Sequence, residues 1–430
     1  MKSLVVKINN KSFALNDFIE PYIIKPLFVA FLYFSMFSRF EGVGGLTGGM
    51  TAVLLSAALF GIAVVHMLLF SKKKGFSALA YLMVVFFFVA AITPLISALI
   101  YGVRVNYLFR FVIELGVNFA MFYFIYYFIR EGIITPKFII YCFVILGGVA
   151  ALQLIVSIGS MENWSRLRGL GGLNYVGHTF AVSAFSYLMV LYYSSDFSKL
   201  KKAFTFFSFV IVFLTLILTG TRAGFLVFLL AIFLYQILGI KSKKFNRYLF
   251  VFGFVLVIAI LILSTQVNLS RLFERYSYDM LEVMVSIRYN LYYGSVADLT
   301  FIEFLVGRAD LSVLDSAGAV ESERFINPHN VFLSLIRFNG LLPFLIFFSV
   351  FAILPISYYK IYKLHYKNDR FRIMESTMII FLAMTFINVM ASGGRVTRNF
   401  FLFFTLAYFI GYIDLLRSNP KVEEYKKMIL

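Results

Sequence analysis

The chain has 430 residues, of which 61% are hydrophobic, 19% aromatic and only 14% charged. An ordinary soluble domain is about 25% charged, so this composition excludes a water-soluble fold, which would have no place to hide so much apolar surface. A net charge of +18 would point to nucleic acid in a soluble protein; here it must first be read as sidedness about a lipid bilayer, and no nucleic-acid partner is expected.

The first 20 residues are mixed and polar and read as lacking a cleavable signal peptide, leaving the first span as the targeting signal. A helix needs roughly 20 apolar residues to cross the hydrocarbon core. Twelve segments qualify: 22–38, 48–70, 76–100, 107–129, 137–159, 176–194, 204–220, 223–240, 247–265, 340–359, 373–391 and 400–416. The apolar stretch 331–338 is too short to span and reads as a re-entrant or interfacial helix leading into the tenth. The chain therefore divides into nine spans over 1–265, one long loop over 266–328, and three spans with a tail over 329–430. The long loop carries Phe273, Tyr276, Tyr278, Tyr289, Tyr292 and Tyr293. Loops of this length in compact proteins are functional or disordered; this one predicts two or three short helices lying over the membrane part as a lid or wall. Its tyrosines suit either sugar stacking or interfacial anchoring.

The charges sort by side. Lys72–Lys74, Lys137, Lys199, Lys201, Lys202, Lys241, Lys243 and Lys244 fall on one set of loops, with both termini. By the positive-inside rule that side is cytoplasmic. The opposite set holds Arg39, Arg104, Arg110, Arg166, Arg168, Arg222, Arg271, Arg275, Arg288, Arg308, Arg324, Arg337, Arg395 and Arg398, and no lysine. Some of these arginines are expected to pair with Glu274, Asp279, Glu282 or Glu323. Guanidinium stays charged, is weakly hydrated and grips phosphate with a two-pronged fork, so this face suits an oxyanion such as a lipid-linked phosphate or pyrophosphate. Glu114 is the one carboxylate well inside a span, one turn after Arg110, which it would neutralise.

Three short segments carry possible chemistry. Thr219-Gly220-Thr221-Arg222-Ala223-Gly224 places Arg222 at the mouth of the eighth span, where the free N–H groups of a helix start favour an anion. Arg166 and Arg168 precede a glycine-rich turn running to Gly177 and His178, a possible backbone nest for phosphate. Asn327-Pro328-His329-Asn330 stands before the short apolar stretch, and His329 is suited to act as a general base at neutral pH. His178 is a second histidine on that side; His66 and His365 look incidental. The single cysteine, Cys142, rules out an internal disulfide and a cysteine metal site. No nucleotide-sugar carboxylate motif, P-loop or zinc pattern is present, so neither metal nor cofactor is expected.

Together these segments resemble the O-antigen polymerase and ligase superfamily. Thr219–Gly224 resembles its T-x-[ST]-R-x-G stretch, and Arg288 followed by Gly307 resembles the arginine and glycine of its large loop. His329-Asn330, nine residues and Gly340 resemble the ligase pattern H-[NSQ]-x9-G-x-x-[GTY], with Pro343 departing at the last position. Arg166, ten residues and Gly177 resemble the polymerase R-x10-G motif. The resemblance implies an all-α polytopic membrane protein of about twelve transmembrane helices, similar to the GT-C glycosyltransferases, with one long extracytoplasmic loop. It would sit in the bacterial inner membrane, termini cytoplasmic and active site periplasmic, as an O-antigen polymerase. The growing glycan would pass from undecaprenyl pyrophosphate onto the next lipid-linked repeat unit, without metal and with inversion. His329, Arg222 and Arg288 are then the expected catalytic residues, and Arg166, Arg168, Arg395, Arg398 and Asn330 the expected substrate contacts. A chain-length regulator and a flippase are the implied partners. Two alternatives stay open: a ligase passing glycan to lipid A–core, and a flippase for lipid-linked oligosaccharide.

Overall fold

A computed structural model describes residues 5–8, 11–14, 19–37, 45–70, 76–101, 105–158, 173–193, 197–219, 221–237, 246, 253, 289–290, 292–294, 296–308, 330–365, 369–391 and 399–418. Among them the only sheet is a small N-terminal hairpin, in which β1 (Val5–Ile8) pairs antiparallel with β2 (Lys11–Ala14), Ile8 opposite Lys11. The polar reading of the first 20 residues did not anticipate it. The signal was there: two short runs with β-forming residues separated by Asn9-Asn10.

The rest is helical. The first apolar segment forms α1 (Lys25–Leu32), flanked by π-helical turns at Glu20–Ile24 and Tyr33–Phe37. Then follow α2 (Gly45–Phe70), α3 (Ala78–Tyr101), α4 (Val105–Arg130), α5 (Pro136–Ile158), α6 (Leu173–Tyr193), α7 (Lys199–Leu218) and α8 (Arg222–Ile237). Within the long loop lies α9 (Phe301–Val306), and after it come α10 (Val331–Asn339), α11 (Leu341–His365), α12 (Asp369–Ala391) and α13 (Phe400–Ser418). Among the described residues seven helices are long and apolar enough to cross a membrane, in α2, α3, α4, α5, α7, α11 and α13. Shorter apolar stretches occur in α8 and α12. The chain is a multi-pass helical membrane protein. The expected ninth span, 247–265, lies outside the described residues apart from Gly253, and so does most of the long loop.

Burial shows which helices are central. The apolar core of α13 is 94% buried inside the protein, whereas that of α2 is 22% buried and presents the rest outward. A polar contact joins α13 to α4: the Tyr126 hydroxyl donates to Asp414 Oδ2 at 2.8 Å, and Arg130 Nη1 reaches the same hydroxyl at 3.4 Å. A buried carboxylate without such a donor would cost several kcal/mol. Along the length of α13 the contacts are aromatic, as in Phe87–Phe403 at 5.0 Å, Phe381–Tyr408 at 4.4 Å and Tyr408–Tyr412 at 4.5 Å between ring centres. His66, which looked incidental in sequence, is buried, with Nδ1 2.8 Å from the Tyr127 hydroxyl.

Most links between helices are short and force the chain to reverse. One end of the bundle therefore collects the ends of α3, α5, α7 and α12 and the starts of α6, α8 and α13. Of the sequence motifs, the described residues Gly177, Arg222 and Gly224 stand at this end, and Gly307 meets α3 near its end. There α6 and α8 cross at bare backbone: a Cβ added to Gly224 would collide with the backbone of Gly177, and one added to Gly177 would collide with the Thr221 hydroxyl. Glycine at a helix crossing lets two backbones approach where lipid supplies no hydrophobic drive of its own.

This crossing yields a graded expectation. Gly224→Ala meets backbone that cannot yield, and should lower stability by about 1–3 kcal/mol. Gly177→Ala meets the Thr221 hydroxyl and its Cβ, which the backbone holds in place, and should cost a similar amount. Gly61→Ala, where nothing lies within 4 Å of the added atom, should be harmless. Thermal unfolding of the three purified variants in detergent checks the order.

Candidate functional site

The hydroxyls beside the glycine crossing shape the turn between α7 and α8. Thr219 Oγ1 donates to the Leu216 carbonyl at 2.6 Å, which extends the last turn of α7. Its one proton is thereby committed, so the Thr221 hydroxyl, 2.7 Å away, must donate to Thr219. The Thr221 carbonyl then accepts from Phe225 N–H at 3.2 Å, and α8 begins. Arg222 is the first residue of that helix, half-buried. The first-turn N–H groups of a helix have no partner within it and carry its positive dipole end. Among the described residues no acid pairs with Arg222.

Two other arginines at this end contrast with it. Arg337, in α10, is 1% exposed and forks onto Asp298, with Nη1–Oδ1 at 2.7 Å and Nη2–Oδ2 at 3.1 Å. Arg308 pairs with Glu303 at 2.6 Å and lies over the Tyr101 ring at 4.4 Å. Sequence reasoning expected arginine–acid pairing on this face but named Glu274, Asp279, Glu282 and Glu323, which lie outside the described residues. Among the described residues the acids that pair are Asp298 and Glu303. Glu303 is aimed inward by a capping box, in which Thr300 and Glu303 exchange hydrogen bonds around the start of α9.

The end of the long loop is locked to the bundle by a second pair of close glycines. Gly307 and Gly340 both have positive φ, 77° and 86°, a conformation that favours glycine. A Cβ on Gly307 would stand 2.6 Å from the Asn339 and Gly340 nitrogens, and one on Gly340 would strike the Leu305 carbonyl. Arg308 N–H donates to the Arg337 carbonyl at 2.8 Å, and the Ser97 hydroxyl donates to the Gly307 carbonyl at 3.2 Å. The two glycines that the sequence picked out on separate motifs thus meet at one joint between α9 and α10.

Asn330 sits at the start of α10, where its side-chain oxygen accepts from the N–H groups of Phe332 (2.9 Å) and Leu333 (3.2 Å). That oxygen caps the helix. The apolar stretch 331–338 is a helix, as expected, and Asn339 at its end reaches the Ala90 carbonyl in the middle of α3 at 3.4 Å. α12 lies against both α8 and α10, joining the Arg222 segment to the Asn330 segment. From the loop, the Tyr292 hydroxyl donates to the Met390 carbonyl near the end of α12 at 2.8 Å.

His178 is buried beside Gly177, its ring centre 5.9 Å from that of Phe401, and its Nε2 has no hydrogen-bond partner among the described residues. Buried polar atoms of this kind are uncommon, and each calls for a reason. His329, Arg166, Arg168, Arg288, Arg395 and Arg398 lie outside the described residues. Among the described residues no three His, Cys, Asp or Glu side chains stand close enough to hold a metal ion. No protein-family model matches the chain, and no curated protein matches it.

Glu303 gives a mutational test of the joint. Its carboxylate accepts from the Thr300 N–H at 2.9 Å and from Arg308 Nη1 at 2.6 Å. Glu303→Gln removes the charge that balances Arg308 and should lower stability by about 1–3 kcal/mol, read as a lower thermal midpoint of the purified protein in detergent.

Proposed function

We propose that this protein is a polysaccharide polymerase that moves a growing glycan from undecaprenyl pyrophosphate onto the next lipid-linked repeat unit. On this reading it has about twelve spans, a GT-C-like frame and both termini in the cytoplasm. The motif end then faces the periplasm from the bacterial inner membrane. The observation that carries the reading is the contrast among the arginines: Arg308 and Arg337 are neutralised by Glu303 and Asp298. Arg222 stands half-buried at a helix start with no acid beside it among the described residues. A half-buried cation that close to a positive helix terminus is stabilised by an incoming anion, and pyrophosphate is the anion that the motifs anticipate.

In the reaction the bond between the anomeric carbon and the pyrophosphate oxygen breaks, and a bond forms from that carbon to an acceptor hydroxyl oxygen. His329 takes the hydroxyl proton, and undecaprenyl pyrophosphate leaves with its negative charge held by Arg222 and Arg288. Arg166, Arg168, Arg395 and Arg398 supply further cations around the leaving group, and Asn330 holds the start of α10 next to His329. Direct attack inverts the anomeric centre. Because the donor carries its own energy, no nucleotide sugar, metal or cofactor is required. A flippase upstream and a chain-length regulator beside the enzyme complete the system. The Pro343 departure at the end of the ligase-type pattern favours polymerase over ligase.

Removing one charge-stabilising donor in a transition state costs about 100-fold or more in rate. Arg222→Ala should cut polymer formation in cells by that order, and Arg222→Lys, which keeps the charge without the fork, should fall between. Both variants should retain wild-type membrane levels and thermal midpoint. Normal polymer from Arg222→Ala would remove the clamp. Deleting the gene should leave single repeat units on the acceptor; complete loss of glycan from the acceptor would instead indicate a ligase.

A further inference from the structure

The structure assigns α9, the short helix at the end of the long loop, to the interior of the bilayer, and we infer that its outward face is covered by lipid acyl chains. This goes beyond the proposed reaction and does not depend on it. The first observation is the pattern of exposure. Phe301 is 75% exposed, Ile302 and Leu305 are also exposed, and Glu303 on the opposite side is 5% exposed. At 3.6 residues per turn the three apolar side chains fall within an arc of about 100°. The capping box and the Arg308 pair hold Glu303 inward, so the apolar arc is fixed outward by hydrogen bonds.

The second observation is depth. The Gly307 carbonyl, directly after α9, accepts the hydroxyl of Ser97, four residues before the end of α3 at Tyr101. At 1.5 Å per residue that is about 6 Å inside the end of the span. Asn339, across the glycine joint, reaches Ala90, about 16 Å inside it on the same rise. Both contacts lie within Ala78–Tyr101, one of the helices long and apolar enough to cross a membrane.

The third observation is continuity. α9 packs against α3 and α11. The outward residues at the same ends of those two helices are also bare and apolar: Leu99, 87% exposed, and Ile96 on α3, and Leu342 and Leu345 on α11. Those faces meet lipid because the helices span, and the apolar arc of α9 lies beside them. A water-facing lid would present a polar side here. α9 is thus a membrane-inserted wedge, and the cations packed behind it, Arg308 and Arg337 of α10, are paired with acids.

The test places a tryptophan on the arc. The native Trp164 is the only tryptophan, so Ile302→Trp and, separately, Leu305→Trp are made in a Trp164→Phe background and reconstituted into liposomes. Lipids brominated near the top of the acyl chains should remove most of the emission at either position, and aqueous iodide should leave it intact. Quenching by iodide without quenching by bromolipid would overturn the assignment. So would protection from both, which would mean that the arc is covered by protein, either the rest of the long loop or a second copy of the chain. Two positions are used so that a folding defect in one variant does not decide the outcome.

Discussion

The candidate site depends on one crossing of bare backbone. Gly177 and Gly224 let α6 and α8 approach more closely than any side chain would permit, and Thr221 fills the space beside them. The closeness fixes where α8 starts. The start of α8 fixes Arg222 at the mouth of the bundle, with the helix dipole behind it. In water such a crossing would be held largely by hydrophobic burial. In lipid it is held by van der Waals contact and hydrogen bonds, so a single methyl group at either glycine acts directly on the geometry of the site.

The second glycine joint has a different purpose. Gly307 and Gly340 turn the chain with positive φ while touching, and the ion pairs of Arg308 and Arg337 close around them. These cations are consumed in holding the loop end to α3 and α10. The arginine-rich face is therefore divided. Part of its charge is structural and balanced by Glu303 and Asp298, whereas Arg222 has no acid beside it among the described residues. This division turns a statistical feature, arginine without lysine, into a statement about a particular residue.

Much of this was legible in the sequence. Runs of apolar residues marked the spans because length and hydropathy are one-dimensional properties; the seven long apolar helices fall on segments expected from them. The glycines of the motifs were visible too, at Gly177, Gly224, Gly307 and Gly340. What the sequence did not carry was which glycine meets which, since each pair is contributed by segments far apart in the chain. The same reason hid the partners of the arginines: Arg337 and Asp298 are separated by 39 positions, and nothing local marks Asp298. The capping role of Asn330 was readable too, from its place just before an apolar helical stretch. The N-terminal hairpin was missed because a polar stretch was read by composition when its Asn9-Asn10 break called for reading by pattern.

The central claim is that the arginine-rich end of this bundle transfers glycan from a pyrophosphate carrier. It is tested most directly with the purified protein in liposomes, given synthetic undecaprenyl-pyrophosphate-linked repeat units and EDTA, with no nucleotide sugar. The account predicts a ladder of lipid-linked products differing by whole repeat units, with release of undecaprenyl pyrophosphate for each addition. Movement of the intact lipid-linked repeat between leaflets with no extension would contradict it and assign the protein to transport.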